Sequence, residues 1–264
     1  MKSTYIFIAA LLAFVASVVS ADTYAWHAAE VRGGEEAVLV LCPGMNQDGA
    51  FFLKESAWMD FAEENDLGVI ALNYRSNSDE MYSSARQGYY WPDQGSGAAL
   101  LEAIGETYGK DLPIFIYGFS GGAQFTSRFV EWMPERVIAW SAYSAQFWDS
   151  PHDNDANPPG IVACGELDGA RWQPSFSYFY EGRALGKPWV WVSLDDTGHV
   201  RHGAFEGFVR DFFERVQGRN ELHVLADVET RVGVDSLEDS LQPELLAVFP
   251  SVDLLGLWRQ VHTP

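Results

Sequence analysis

Apolar residues recur along this chain in short runs, and the runs are separated by stretches with helical spacing. Ala37–Leu41, Gly68–Leu72, Pro113–Tyr117, Val137–Ala142, Gly160–Ala163 and Pro188–Ser193 are rich in β-branched or aromatic side chains and have the length of a strand. They lack polar alternation, which is the pattern of parallel strands covered on both faces. Between the runs, apolar residues fall on one face of a helix. Phe51, Trp58, Phe61 and Ala62 form one such face, Ala99, Leu100, Ala103 and Ile104 another, and Phe125, Phe129, Trp132 and Met133 a third. The most regular stripe is Phe205, Phe208, Val209, Phe212, Phe213 and Val216. Alternating strands and helices predict an α/β fold: a mostly parallel sheet with helices on both faces and right-handed crossovers. In such a sheet, ligands bind beyond the carboxyl ends of the strands. Functional residues are therefore expected just after the six runs.

The two ends of the chain have a different pattern. Lys2 is the only charge in residues 1–21, and Tyr5 to Val19 is apolar apart from Ser17. Val19-Ser20-Ala21 offers small residues at a cleavage site, so residues 1–21 read as a secretory signal peptide. The main domain is then expected over residues 22–220. Residues 221–264 read as a C-terminal extension packed on it, with a hairpin from Leu222–Val228 and Arg231–Val234. Two short helices are expected to follow, Pro243–Phe249 and Val252–Val261, with Ser251 capping the second.

Composition narrows the function. The 264 residues carry 37 acidic side chains against 17 Lys and Arg, a formal charge of −20. That surface repels phosphate, which argues against nucleic-acid and anionic-membrane partners. An apolar share of 47% and an aromatic share of 14% exclude a disordered chain. The only cysteines, Cys42 and Cys164, each end an apolar run. They read as buried thiols, although the expected oxidising compartment, secreted or periplasmic, would permit a pair.

The clearest chemical signal is Gly118-Phe119-Ser120-Gly121-Gly122, placed between a strand and a helix. Glycines flank a serine on a sharp turn, so its hydroxyl is presented at a helix N-terminus, where developing negative charge is favoured. A nucleophilic serine needs a base. His199 follows the last strand in Asp195-Asp196-Thr197-Gly198-His199, and His202 is its competitor. The base needs a carboxylate to hold its tautomer. Asp168 lies in Cys164-Gly165-Glu166-Leu167-Asp168-Gly169, with Glu166 and Asp196 as rivals. The order Ser120, Asp168, His199 fits a sheet with these connections. An oxyanion needs two preorganised donors. The Gly121 amide follows the nucleophile, and the Met45 amide lies in Cys42-Pro43-Gly44-Met45-Asn46-Gln47 after the first strand. Asn46 either adds a side-chain donor or closes a turn.

These segments resemble the α/β-hydrolases over about Ala37 to Val216. They are most similar in detail to secreted polyhydroxybutyrate-depolymerase-like and dienelactone-hydrolase-like esterases. Pro43-Gly44-Met45-Asn46-Gln47, Gly118–Phe125, Gly165–Gly169 and Gly198-His199 carry the resemblance. It implies a serine esterase with the triad Ser120, Asp168 and His199 and no cofactor. Two positions depart from it. Many relatives have His where Pro43 stands, and dienelactone hydrolases proper use Cys where Ser120 stands. The expected partner is a small or polymeric ester.

Residues 75–97 are long for a connection and carry Tyr82, Tyr89, Tyr90 and Trp91. Phe147, Trp148 and Trp172 also follow strands. Among these, Tyr90, Trp91 and Trp172 are the expected substrate contacts. Gly95-Ser96-Gly97 lacks the spacing of a dinucleotide site, and His199 with His202 lacks a third metal ligand. Two alternatives keep the fold: a peptidase like the prolyl oligopeptidases, and a catalytically silent module that binds glycans.

Overall fold

The computed structural model describes residues 22–77, 85–146, 148–218, 224–237, 240 and 242–261. The signal-peptide segment, Tyr82 and Phe147 lie outside these residues. The chain begins with β1 (Thr23–Ala28), β2 (Ala37–Cys42), α1 (Ser56–Glu64), β3 (Leu67–Arg75) and α2 (Ser96–Tyr108). It continues through β4 (Ile114–Phe119), α3 (Gly121–Trp132), β5 (Val137–Tyr143), β6 (Gly160–Gly165), α4 (Gly169–Ala184), β7 (Trp189–Leu194) and α5 (Gly203–Gln217). β8 (Val224–Asp227), β9 (Gly233–Val234), β10 (Leu246–Phe249) and α6 (Val252–Val261) complete it.

Seven strands form one sheet in the order β1-β3-β2-β4-β5-β6-β7, parallel except for β1. The six apolar runs are its parallel strands. Their unbroken apolarity has a direct cause, because each strand feeds two cores. Leu39, Leu41, Phe115 and Tyr117 pack with α1, α5 and α6 on one face. Val38, Val40, Ile114 and Ile116 pack with α2, α3 and α4 on the other. The chain leaves β2 for β3 on one side, then returns to place β4 on the other. The strand order thus reverses at β2 and β4, and the carboxyl ends at such a reversal are where sheets of this kind take ligands.

Two elements differ from the sequence reading. β1 is an additional strand, antiparallel to β3, with Tyr24 and Trp26 packed on the core and Ala25 between them exposed. Its period-two alternation of aromatic and other residues is the signal for a half-covered edge. Pro243–Phe249 is not a helix. Pro243–Leu245 is one 3-10 turn, and Leu246–Phe249 is β10, paired with β8 in a small sheet of order β10-β8-β9. A short apolar run does not separate strand from helix, and here pairing with β8 decides. The hairpin is present as β8 and β9, and the last helix as α6.

The extension joins the main core. Trp258 on α6 is fully buried and its indole N–H donates to the Trp191 carbonyl on β7 at 2.8 Å. The Arg183 guanidinium on α4 donates to the Leu246 carbonyl at 2.6 Å. Among the described residues no helix is long and apolar enough to cross a membrane. Trp258→Ala empties a buried aromatic site and is expected to lower unfolding stability by about 3–5 kcal/mol, as measured by urea denaturation.

Candidate active site

The turn between β4 and α3 is tight. Ser120 has φ 55° and ψ −116°, a conformation that L-residues avoid, and it lies just before the first residue of α3. Its amide donates to the Tyr143 carbonyl on β5 at 2.9 Å, and its carbonyl accepts from the Gln124 amide at 3.1 Å. The following residues must be glycines for reasons of space. A Cβ on Gly122 would stand 2.2 Å from the Cys42 carbonyl oxygen, and one on Gly121 would stand 2.8 Å from the Met45 amide nitrogen. The turn bearing Ser120 is thus seated directly against the loop after β2.

The structure brings Ser120, His199 and Asp168 together. His199 Nε2 lies 2.9 Å from Ser120 Oγ, and His199 Nδ1 lies 2.7 Å from Asp168 Oδ2. The buried carboxylate selects the tautomer in which Nδ1–H donates to Asp168 and Nε2 accepts from the serine hydroxyl. Asp168 Oδ1 accepts a second bond from Arg171 Nη1 at 2.9 Å, so both carboxylate oxygens are engaged. Phe119 stacks on the imidazole at 5.1 Å between ring centroids. The rivals fall away on geometry. Glu166 and Asp196 are exposed. His202 caps α5, its Nδ1 accepting from the Phe205 amide at 3.2 Å.

The two amides expected to receive an oxyanion lie at the same turn. The Gly121 amide is among the first in α3, where helical partners are lacking. The Met45 amide makes no backbone hydrogen bond among the described residues. Asn46 does neither of the things expected of it. Its side chain clasps the backbone of Ser76, donating to the carbonyl at 2.7 Å and accepting from the amide at 2.9 Å. That ties the loop after β2 to the end of β3.

The aromatic residues expected to touch substrate behave differently. Tyr90 is fully buried and lies 4.0 Å from the Tyr89 ring, so it is core and lines no surface. The Trp91 ring lies 3.5 Å from the Arg128 guanidinium and 4.8 Å from that of Arg86. Both arginines line a cavity of about 330 Å³ with Glu131, Trp132 and Tyr178, and no triad residue lines it. Trp172 is half-buried on the first turn of α4, its N–H donating to Ser193 Oγ at 2.7 Å. What the sequence reading missed is an apolar fringe. Met45, Leu167 and Val200 are 44%, 64% and 56% exposed; Met45 is an expected oxyanion donor, and Leu167 and Val200 adjoin Asp168 and His199. The two cysteines are free and buried, and burial pushes the thiols up to about 12 for Cys42 and about 11 for Cys164.

No protein-family model and no curated protein matches the sequence. Solved structures do. The chain is similar to the poly(3-hydroxybutyrate) depolymerase LpqC of Bordetella parapertussis, at 18% identity and a TM-score of 0.54, over 76% of this chain and 87% of that one. It is similar to esterase PE8 at 18% identity and a TM-score of 0.54, over 74% of this chain and 99% of the other. A phospholipase/carboxylesterase of Dyadobacter fermentans gives 14% identity and a TM-score of 0.51, over 74% and 97%. The fold they share with this chain is the α/β-hydrolase fold.

Proposed function

We propose that the protein is a secreted serine hydrolase that cleaves carboxylic esters through an acyl-enzyme. The observation that carries this reading is the unbroken hydrogen-bonded line from Asp168 through His199 to Ser120, set at a strained turn. His199 takes the proton of Ser120 as Oγ attacks the ester carbonyl. The Gly121 and Met45 amides receive the oxyanion, and His199 returns the proton to the leaving alcohol. Water, deprotonated by the same imidazole, then releases the acid. Each oxyanion donor contributes about 3 kcal/mol to the transition state. Asp168 does not exchange the proton. It holds the ring and stabilises the imidazolium, and Arg171 keeps its second oxygen engaged.

The substrate side of the reading rests on charge and exposure. An excess of acidic residues repels anionic esters at long range. Met45, Leu167 and Val200 offer apolar surface beside the triad, which suits neutral esters, small or polymeric. Trp172, four residues after Asp168, is half-buried and is the aromatic substrate contact this reading keeps. Buried thiols suit a serine nucleophile and leave no part for a cysteine mechanism.

Ser120→Ala should reduce turnover of a short p-nitrophenyl ester by at least about 10⁴-fold. Retained turnover would refute the assignment, and peptide cleavage exceeding ester cleavage would favour the peptidase. Raising ionic strength from about 0.01 to 0.15 M shortens the Debye length from about 30 to 8 Å. kcat/KM for an anionic ester should therefore rise, while that for a neutral ester stays level; equal responses would remove the electrostatic argument. Iodoacetamide at neutral pH should leave the native enzyme active. Mass spectrometry should find both cysteines alkylated only in denaturant.

A further inference from the structure

Arg201 follows His199 by two residues, and it does not face the crevice as a free cation. Its Nε and Nη2 donate to Glu206 Oε1 and Oε2, both at 2.7 Å. Its Nη1 and Nη2 donate to Glu55 Oε1 and Oε2 at 2.7 and 2.8 Å. Four of the five guanidinium N–H bonds are thus committed, which leaves little to offer a substrate. The same group lies 5.0 and 4.5 Å from the ring centroids of Phe51 and Phe52.

The partners show what the residue joins. Glu55, Phe51 and Phe52 belong to the 3-10 helix Gly49–Lys54 and its cap, which directly continue the loop bearing Met45. Glu206 is buried on α5 and accepts two further bonds, from Tyr117 OH at 2.9 Å and from Trp58 Nε1 at 3.3 Å. Tyr117 lies on β4, three residues before Ser120. The segment after His199 is therefore fastened to the strand that delivers the nucleophile and to the segment that delivers an oxyanion donor. A second tether supports it: Tyr143 OH donates to the Val200 carbonyl at 2.7 Å, while the Tyr143 carbonyl accepts from Ser120.

We propose that Arg201 is a positioning residue that sets His199 against Ser120 and the Met45 loop through Glu206 and Glu55. It touches no reacting atom. It acts because one planar cation satisfies two carboxylates at once, an arrangement that Lys, as a compact point charge, does not reproduce. A displacement of about 1 Å at a base costs on the order of 10²-fold in rate.

This inference rests on the Ser120 hydrolase reading, so the test is arranged to separate the two. Wild type, Ser120→Ala, Arg201→Met, Arg201→Lys and Glu55→Ala are titrated with a fluorophosphonate, and kcat and KM are measured per titrated site. A role confined to folding lowers the titratable fraction and leaves the rate per site unchanged. Positioning is expected to lower kcat per site by about 10–100-fold in Arg201→Met, less in Arg201→Lys and by about 3–10-fold in Glu55→Ala, with KM within about twofold. If Arg201→Met fails to fold, Arg201→Lys and Glu55→Ala carry the decision. Values per site within about twofold of wild type in both would overturn the proposal. Absence of label on wild-type Ser120 would count against the hydrolase reading instead.

Discussion

Ser120 occupies a backbone conformation that costs on the order of 1–3 kcal/mol. Such a residue persists only where its surroundings over-determine it, and here they do so from three directions. β5 accepts its amide, the first turn of α3 takes its carbonyl, and the loop after β2 closes against the two glycines that follow. The contact between Gly122 and the Cys42 carbonyl is the tightest of these. It places Ser120 and the Met45 amide, the nucleophile and oxyanion donor of the proposed mechanism, on two segments that touch, so the distance between them is set by backbone packing. Any side chain at Gly122 would push the loop and the turn apart. The sheet order follows from the same requirement, since β2 and β4 must be neighbours for their carboxyl ends to meet.

Charge is handled by a second rule, repeated twice around His199. Asp168 and Glu206 are both buried, and each is met by an arginine close in sequence, Arg171 for the first and Arg201 for the second. A buried carboxylate without a cation would shed its charge or open to water. Both pair with their arginine and accept further hydrogen bonds. Asp168 gives its other oxygen to the imidazole, while Glu206 gives its remaining capacity to Tyr117 and Trp58. The histidine segment thus hangs between two neutralised acids. Burial disfavours the charge on Arg201, yet its bonds to Glu55 and Glu206 raise its pKa. It therefore stays protonated wherever the protein is folded.

Much of this was legible in the sequence, and the reason is local. The parallel strands are readable because each must be apolar on both faces. The nucleophile turn is readable because steric crowding forces glycines into a fixed spacing around one serine. Asp168 and His199 follow from the rule that places function after strands. The failures share the opposite property. Tyr90 looks like a pocket residue because it lies in a long polar connection, but its side chain is fully buried and its ring packs on Tyr89. β10 becomes a strand only because β8 is there to pair with it. Glu55 and Arg201 are 146 residues apart, and neither carries a local mark of the other. His202 lies just ahead of a regular apolar helical stripe, which sets it at the start of α5 rather than beside Ser120, and there it caps the helix.

The C-terminal extension is best understood from the strand it leans on. β7 is the outer strand of the sheet and also the strand that ends in the histidine loop. An outer strand has one unpaired edge, and an unsupported edge can fray or recruit another chain. Trp258 donates to the Trp191 carbonyl from one side, and Arg183 links α4 to β10. Arg231 adds an ion pair to Asp195, at the start of the loop that leads to His199, at 3.7 Å. That partly exposed pair, at 3.7 Å, is worth little by itself. The buried indole is worth far more, because its loss leaves both a cavity and an unsatisfied carbonyl. The described part of the extension therefore braces the strand that leads into the loop bearing His199.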